Sequence, residues 1–265
     1  MNKHFLAAAA LLATVSAHGA VNLTSTAVPY TQNFDSLAAA TGTNIGWVND
    51  GTIAGWSLFD RNSAARVTYN ANDGSSNAGS FYSFGTASNT DRALGGLGSA
   101  GTYFGSPAQN ALAGYIALAV TNATGFELNS FTLSFDGEQW RNGGNTTAQT
   151  MVLEYGFGAT FTSVASWTAA GAGFNFTSPV TDAAAAAVNG NVAGLSAGLG
   201  GTISTSWAVG DRLWVRWIEA NDAGNDHGLA IDNLSLSVTA VPEPGTTGLL
   251  LAGLAAVGLL ARRRA

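Results

Sequence analysis

Asp222, Asn225, Asp226 and Asp232 fall within eleven residues, with Asn221 and Asn233 beside them and Asp35 far upstream. Carboxylate and amide oxygens are the hard ligands that Ca²⁺ takes, although the spacing is not that of an EF-hand loop. Asp35, Asp222, Asp226 and Asp232 are therefore the candidate ligands of a structural Ca²⁺. The competing reading is a solvated loop whose Asn and Asp side chains do ordinary turn chemistry.

A second constellation is Glu138 with Glu219 or Asp136. Two facing carboxylates are what a glycosidase uses as acid and as nucleophile or base. The same Glu138, in the run Gly137-Glu138-Gln139-Trp140-Arg141, is equally accounted for by an ion pair with Arg141 or Arg216. Seven tryptophans add a third chemistry, because an open aromatic face stacks on the apolar face of a sugar ring. Trp217 shares strand parity with Leu213 and Val215 and reads as core. Trp214 shares its face with Arg212 and Arg216 and is the candidate sugar contact. Arg92, next to Asp91, is the other candidate ligand contact, either gripping a hydroxyl or uronate or held by carboxylates between strands.

The composition excludes several alternatives. There is no cysteine, so disulfides, thiolate metal sites and cysteine nucleophiles are absent. Past the first twenty residues the only histidine is His227, which is too little for an imidazole metal cluster. Setting aside Lys3 and Arg262, Arg263 and Arg264 leaves six basic residues; setting aside Glu243 leaves fifteen acidic ones, a charge near −9. Such a body repels phosphate backbones, so nucleic acid is not a partner.

The elements that must position these residues read as strands. Phe131, Leu133 and Phe135 alternate with Thr132 and Ser134, and the same two-residue period recurs at Met151, Leu153, Tyr155 and Phe157 and at Leu213, Val215 and Trp217. Asn72-Asp73-Gly74 and Asn142-Gly143-Gly144-Asn145 read as turns between such runs. Residues 182–192, with five consecutive alanines, predict a turn or two of helix stopped at Asn189-Gly190, and no helix is capable of covering a sheet. Sheet must then pack on sheet. The expected fold is all-β, a jelly-roll-like antiparallel β-sandwich over residues 21–240. In its last strand Asp232 shares parity with Leu234, Leu236 and Val238, which predicts a carboxylate on the core side, paired with a cation, with Arg216 or Arg92, or with backbone N–H groups.

The two ends differ from the body. Residues 1–20 begin with Lys3 and His4, run uncharged from 5 to 15 and finish in small residues, the pattern of a secretory signal helix, with cleavage favoured after Ala17. Residues 241–265 hold Pro242, Glu243 and Pro244, an uncharged run over 245–261, and Arg262, Arg263 and Arg264. Seventeen apolar residues reach the lower limit of a transmembrane helix, and the arginines would stay on the cytoplasmic side of the inner membrane.

This tail resembles the PEP-CTERM sorting signal, in which the Pro-Glu-Pro motif, apolar helix and basic tip follow in the same order. The resemblance implies processing by an exosortase-type enzyme in a Gram-negative bacterium that makes extracellular polysaccharide. The body resembles the jelly-roll domains of secreted bacterial proteins related to galactose-binding-like and carbohydrate-binding modules. The points of resemblance are Asn33-Phe34-Asp35 with Trp47 and Trp56, Tyr82-Ser83-Phe84-Gly85 with Asp91-Arg92-Ala93-Leu94-Gly95, the Gly137 to Arg141 run quoted above, and Ala230-Ile231-Asp232-Asn233-Leu234. The expectation is an exported, non-enzymatic envelope or matrix protein that binds glycan or contributes to exopolysaccharide. The alternatives are a polysaccharide lyase or glycosidase using Glu138 and Glu219, and a protein-binding adhesin.

Overall fold

The computed structural model describes residues 20–241, so the expected signal helix and apolar tail helix lie outside the described residues. The described chain forms sixteen strands: β1 (Val21–Leu23), β2 (Tyr30–Gln32), β3 (Gly42–Gly46), β4 (Trp56–Asp60), β5 (Thr68–Asn72), β6 (Ser80–Phe84), β7 (Ala93–Leu97), β8 (Ala111–Asn122), β9 (Leu128–Asn142), β10 (Thr150–Phe157), β11 (Thr168–Ala169), β12 (Phe176–Thr177), β13 (Ala186–Ala187), β14 (Leu195–Trp207), β15 (Arg212–Asn221) and β16 (Gly228–Ala240). The first sheet runs β1-β8-β15-β10-β11, with β4 also on β8 and β12 on β10. The second runs β13-β9-β16-β7-β6-β5-β3, with β14 also on β9 and β2 on β16.

The inward residues are those the two-residue period selects. Phe131, Leu133 and Phe135 of β9 meet Met151, Leu153, Leu213, Val215 and Trp217 of the facing sheet in one buried cluster. Trp217 stacks on Trp56 at 5.7 Å, and Phe34 sets its edge on Trp56 at 4.7 Å. The all-β sandwich expected from the sequence is present, but its sheets are mixed. β1 pairs parallel with β8, and β5 parallel with β6. Alternation along one strand carries no information about the direction of its neighbour.

Both outer faces carry a second, smaller apolar layer. On the first sheet Tyr115, Ala117, Ala119 and Trp214 are covered by Phe161 from the excursion after β10. On the second sheet Tyr82, Phe84, Ala93, Leu97, Trp140 and Ala230 form another cluster. Loop 73–79 closes over part of it, Tyr82 Oη donating to Ala78 O at 2.6 Å. Loop 188–194 closes over the rest, Val188 N donating to Trp140 O at 2.8 Å.

Residues 182–192 do not form the expected helix. Asn142 Nδ2 donates to Asp182 O and Ala184 O at 2.9 and 2.8 Å, and Ala186 and Ala187 pair with Asn142 and Arg141 at the edge of the second sheet. An open strand edge supplies partners that override the alanines' weak preference for helix.

Candidate functional site

Asp232 is 1% exposed, yet it does not face the sandwich core. Asn233 adopts φ +50° and the β9–β16 register shifts between Asp232 and Ser235, a β-bulge. The extra residue flips the alternation, so Ile231 and Leu234 both point inward while Asp232 joins Ala230 on the outer face of the second sheet. The shared parity with Leu234, Leu236 and Val238 is broken at that residue, which corrects the core-facing expectation.

On that outer face Asp232 lies among carboxylates. Burial pushes its carboxyl up to about 8, against a backbone hydrogen bond from Asn233 and with Glu138, Asp91 and Asp35 adding like charge. Its Oδ1 is buried without a hydrogen-bond partner. Glu138 is 2% exposed and accepts from Trp140 Nε1 at 2.8 Å. Burial pushes it up to about 7, with Asp91 and Asp136 as smaller contributors. Asp35, which stands in the turn after β2, accepts from Arg92 N at 3.2 Å and from Asn33 Nδ2 at 2.7 Å. Asp91 accepts from Asn191 Nδ2 at 2.6 Å. Asp35, Glu138 and Asp91 thus all act on Asp232 through charge, Asp35 the least. The parity of β9 carries part of that arrangement, because Asp136, Glu138 and Trp140 alternate against Phe131, Leu133 and Phe135.

Asp222 and Asp226 do not join that group. The four steps from Gly228 to Asp232 alone span about 13 Å of strand, and both aspartates lie beyond them in the β15–β16 loop. Their neighbour is Glu219, buried between the sheets and pushed well up by burial, with Asp226 and Asp222 adding to the push. Glu219 Oε1 accepts from Gly98 N at 2.8 Å. Asp226 Oδ1 accepts from Asp222 N at 2.6 Å, and burial raises Asp226 to about 7. Among the described residues no group of three or more histidine, aspartate or glutamate side chains is placed to hold a metal ion.

This second acidic group borders a cleft of about 360 Å³. Its walls include Asn77, Ser99, Arg141, Asn221, Asn225 and Asp226, with Leu97 as an apolar patch. Arg141 is anchored by donating Nη1 to Gly74 O at 3.0 Å and Ser75 O at 3.1 Å, which directs the guanidinium into place. Asn225 is fixed through its carbonyl, which accepts from Gln149 Nε2 at 2.8 Å and Asn145 Nδ2 at 3.1 Å. His227, two residues on, accepts from Gly143 N at its Nδ1, which leaves the imidazole proton on Nε2; burial lowers its pKa.

Trp214 and Arg92 do not present themselves to a ligand. Trp214 is 6% exposed, donates Nε1 to Gly158 O at 3.1 Å and meets Phe161 edge-on at 5.7 Å. The excursion over residues 158–170 covers the face that strand parity leaves open, which corrects the expectation of an exposed ring. Arg92 is 1% exposed; Nε donates to Ser83 Oγ at 2.9 Å and Nη1 to Thr86 O at 3.4 Å, so hydroxyl and carbonyl oxygens hold it. Trp167 is the half-buried tryptophan, with the Arg216 guanidinium 3.9 Å above its ring. Arg216 in turn bonds Glu154 through Nε at 2.9 Å and lies 4.4 Å from the Tyr115 ring.

The chain leaves the described structure at Val241, directly after β16. The Pro-Glu-Pro run, the uncharged stretch and the arginines follow from there. Residues 240–264 match the PEP-CTERM protein-sorting motif. The motif marks export to the bacterial cell envelope or surface and implies an exosortase-type processing enzyme. No curated protein matches the chain. Among solved structures the body is similar to the K3 cleaved adhesin domain of Lys-gingipain (Kgp) from Porphyromonas gingivalis w83, at 13% identity over 75% of this chain and 99% of that one, with a TM-score of 0.40. It is also similar to the CBM22-1 xylan-binding domain of Paenibacillus barcinonensis Xyn10C, at 9% identity over 78% of this chain and 100% of that one, TM-score 0.32. Neither likeness, at a TM-score below 0.5, bears on ligand or activity.

Proposed function

We propose that this PEP-CTERM protein is a non-catalytic glycan-binding module, displayed on the envelope or in the extracellular polysaccharide matrix of a Gram-negative bacterium. The cleft lined by Asn77, Ser99, Arg141, Asn221, Asn225 and Asp226 carries the reading. Its volume suits a small ligand, and planar amide, guanidinium and carboxylate groups on anchored backbone are suited to the hydroxyls of a neutral or acidic sugar. The cleft also lies at the far end of the sandwich from Val241. β9 runs from Leu128, paired with Ala240, to Arg141, paired with Gly228 at the cleft. A body tethered through its tail therefore offers the cleft outward.

The lyase or glycosidase alternative loses its carboxylate pair. Glu138 is bonded to Trp140 on the outer face of the second sheet, whereas Glu219 reaches Gly98 from the interior. The two do not face one another across a groove. Measuring polysaccharide binding by affinity electrophoresis, with Arg141→Ala as the variant and a reducing-end assay alongside, tests the proposal.

Calcium is the proposed structural ion, with Asp232 and Asp35 as ligands and Glu138 and Asp91 as supporting charge. The support is the buried Asp232 Oδ1 without a partner, set among like charges. Asp222 and Asp226 have no part in this ion.

A further inference from the structure

Val241 N donates to Glu127 O at 2.9 Å, which ties the exit of the tail to the β8–β9 loop. Asn122, fully buried at the end of β8, gathers the neighbouring loops. Its Nδ2 donates to Phe126 O at 2.9 Å and Trp207 O at 3.0 Å, and its carbonyl accepts from Gly210 N at 2.8 Å. Ala123 N donates to Leu23 O at 2.8 Å, adding the chain that enters loop 24–29. Loops 24–29, 123–127 and 208–211 are thereby bound into one rim around the point where the tail leaves.

That rim exposes a group of large apolar side chains beside the carboxylates of Glu127 and Asp211. Val28, Phe126, Val209 and Val241 are 68%, 47%, 54% and 42% exposed, half of the eight large hydrophobic side chains exposed among the described residues. The three loops contain no lysine or arginine, and of their charged residues Glu127 already accepts from Ser206 Oγ at 2.6 Å. Isolated exposed apolar residues need no explanation, but several on one rim mark a contact surface.

The length of chain beyond Val241 selects the occupant. Only residues 242–244 separate it from the uncharged run over 245–261. Even fully extended, the four steps from Val241 to Gly245 reach about 14 Å. The interfacial layer on one side of a bilayer is about 5–8 Å thick. With residues 245–261 in the membrane, the rim cannot stand clear of the head groups by more than a few side-chain lengths. We infer that, until the tail is cleaved, the rim of Val28, Phe126 and Val209 seats on the outer surface of the inner membrane and holds the Arg141 cleft pointing away from it. The inference rests on the tail acting as a membrane span, as its motif implies. Because the rim loops offer carboxylates but no cationic side chains, the contact gains nothing from attraction to anionic head groups and is not weakened by salt.

The absence of cysteine makes the test direct, since one introduced thiol is the only labelling site. An environment-sensitive fluorophore is attached at Phe126→Cys, at Val209→Cys, at Val192→Cys and at Leu250→Cys in the full chain. Val192 is 73% exposed on loop 188–194, toward the opposite end of β9. Each labelled chain is reconstituted in vesicles of phosphatidylethanolamine and phosphatidylglycerol containing a lipid with a quencher on its acyl chain. The expected result is blue-shifted, lipid-quenched emission at 126, 209 and 250, not weakened at high salt, and water-like emission at 192. Quenching at 250 with water-like emission at 126 and 209 overturns the inference while leaving the membrane span standing. A blue shift at 126 and 209 without lipid quenching also overturns it, because a protein partner then covers the rim. Water-like emission at 250 removes the span itself and the inference with it.

Discussion

Asp232 stands directly opposite Asp136 in the ladder between β16 and β9, and the two carboxylates have unequal surroundings. Asp136 accepts from Gly198 N at 2.8 Å and from Asn233 Nδ2 at 3.0 Å. Asp232 Oδ1 has no partner and is buried. Like charges directly opposed in a sheet repel. Burial and the Glu138, Asp91 and Asp35 charges favour a proton on Asp232, or else a cation beside it.

The two choices differ in their pH dependence. Without a cation, burial holds the Glu138 and Asp232 carboxyls up at about 7 and about 8. A raised carboxyl binds its proton more tightly in the folded state, so its contribution to stability is complete below the ordinary carboxylate value of about 4. That contribution is lost as the pH rises through the folded values. In EDTA the melting temperature should fall from about pH 5 to about pH 8. Calcium should raise it strongly at the upper end of that range and hardly at the lower. Calorimetry with Asp232→Asn should flatten both dependences, and superimposable wild-type curves with and without calcium at the upper pH would remove the ion.

Arg216 fastens the excursion over residues 158–170 to the first sheet, bonded to Glu154 and stacked between Trp167 and Tyr115. Lysine keeps the charge but loses the planar stack and the two-pronged contact, so Arg216→Lys should cost about 1–2 kcal/mol. Urea unfolding measures this, and an unchanged midpoint would make the stack incidental.

Gly74 has φ +89°, and a Cβ there would stand 1.8 Å from Trp140 O. Gly125 has φ +82° with open space around the same position. Gly74→Ala should cost about 2 kcal/mol more than Gly125→Ala, since both carry backbone strain but only the first also drives loop 73–79 off Trp140. Equal losses in parallel denaturant titrations would mean that the loop yields without resistance.

Much of the sandwich is legible in sequence because burial on one face imposes alternation, as at Phe131, Leu133 and Phe135. Features set by a single local choice or by a distant partner are not. One left-handed residue, Asn233, reverses the face of Asp232, and Asn is a residue type that adopts that conformation readily enough to give little warning. Trp214 looks open by parity because nothing within β15 reveals that Phe161 will fold over it. The alanines at 183–187 read as helix because their partners, Asn142 and Arg141, lie more than forty residues upstream. The cleft combines five regions of the chain, and no spacing in sequence connects Asn77 or Ser99 to Arg141 and Asp226.

The sorting motif leads to a simple expectation for the mature protein. Recovered from its own cell surface, it should end near Pro244, and mass spectrometry should find no peptide carrying Arg262, Arg263 or Arg264. An intact arginine end would make the tail a lasting anchor rather than a processed signal.

Binding at the cleft is the centre of the account. Affinity electrophoresis of the protein through gels containing polysaccharide from the producing bacterium, with Arg141→Ala and Asp226→Asn compared with wild type, tests it most directly. Wild type should be retarded and each variant should lose about 1–3 kcal/mol of affinity, the scale of a charged hydrogen bond, while a reducing-end assay detects no shortening of the polysaccharide. Retardation identical in all three proteins, or the appearance of new reducing ends, would contradict it.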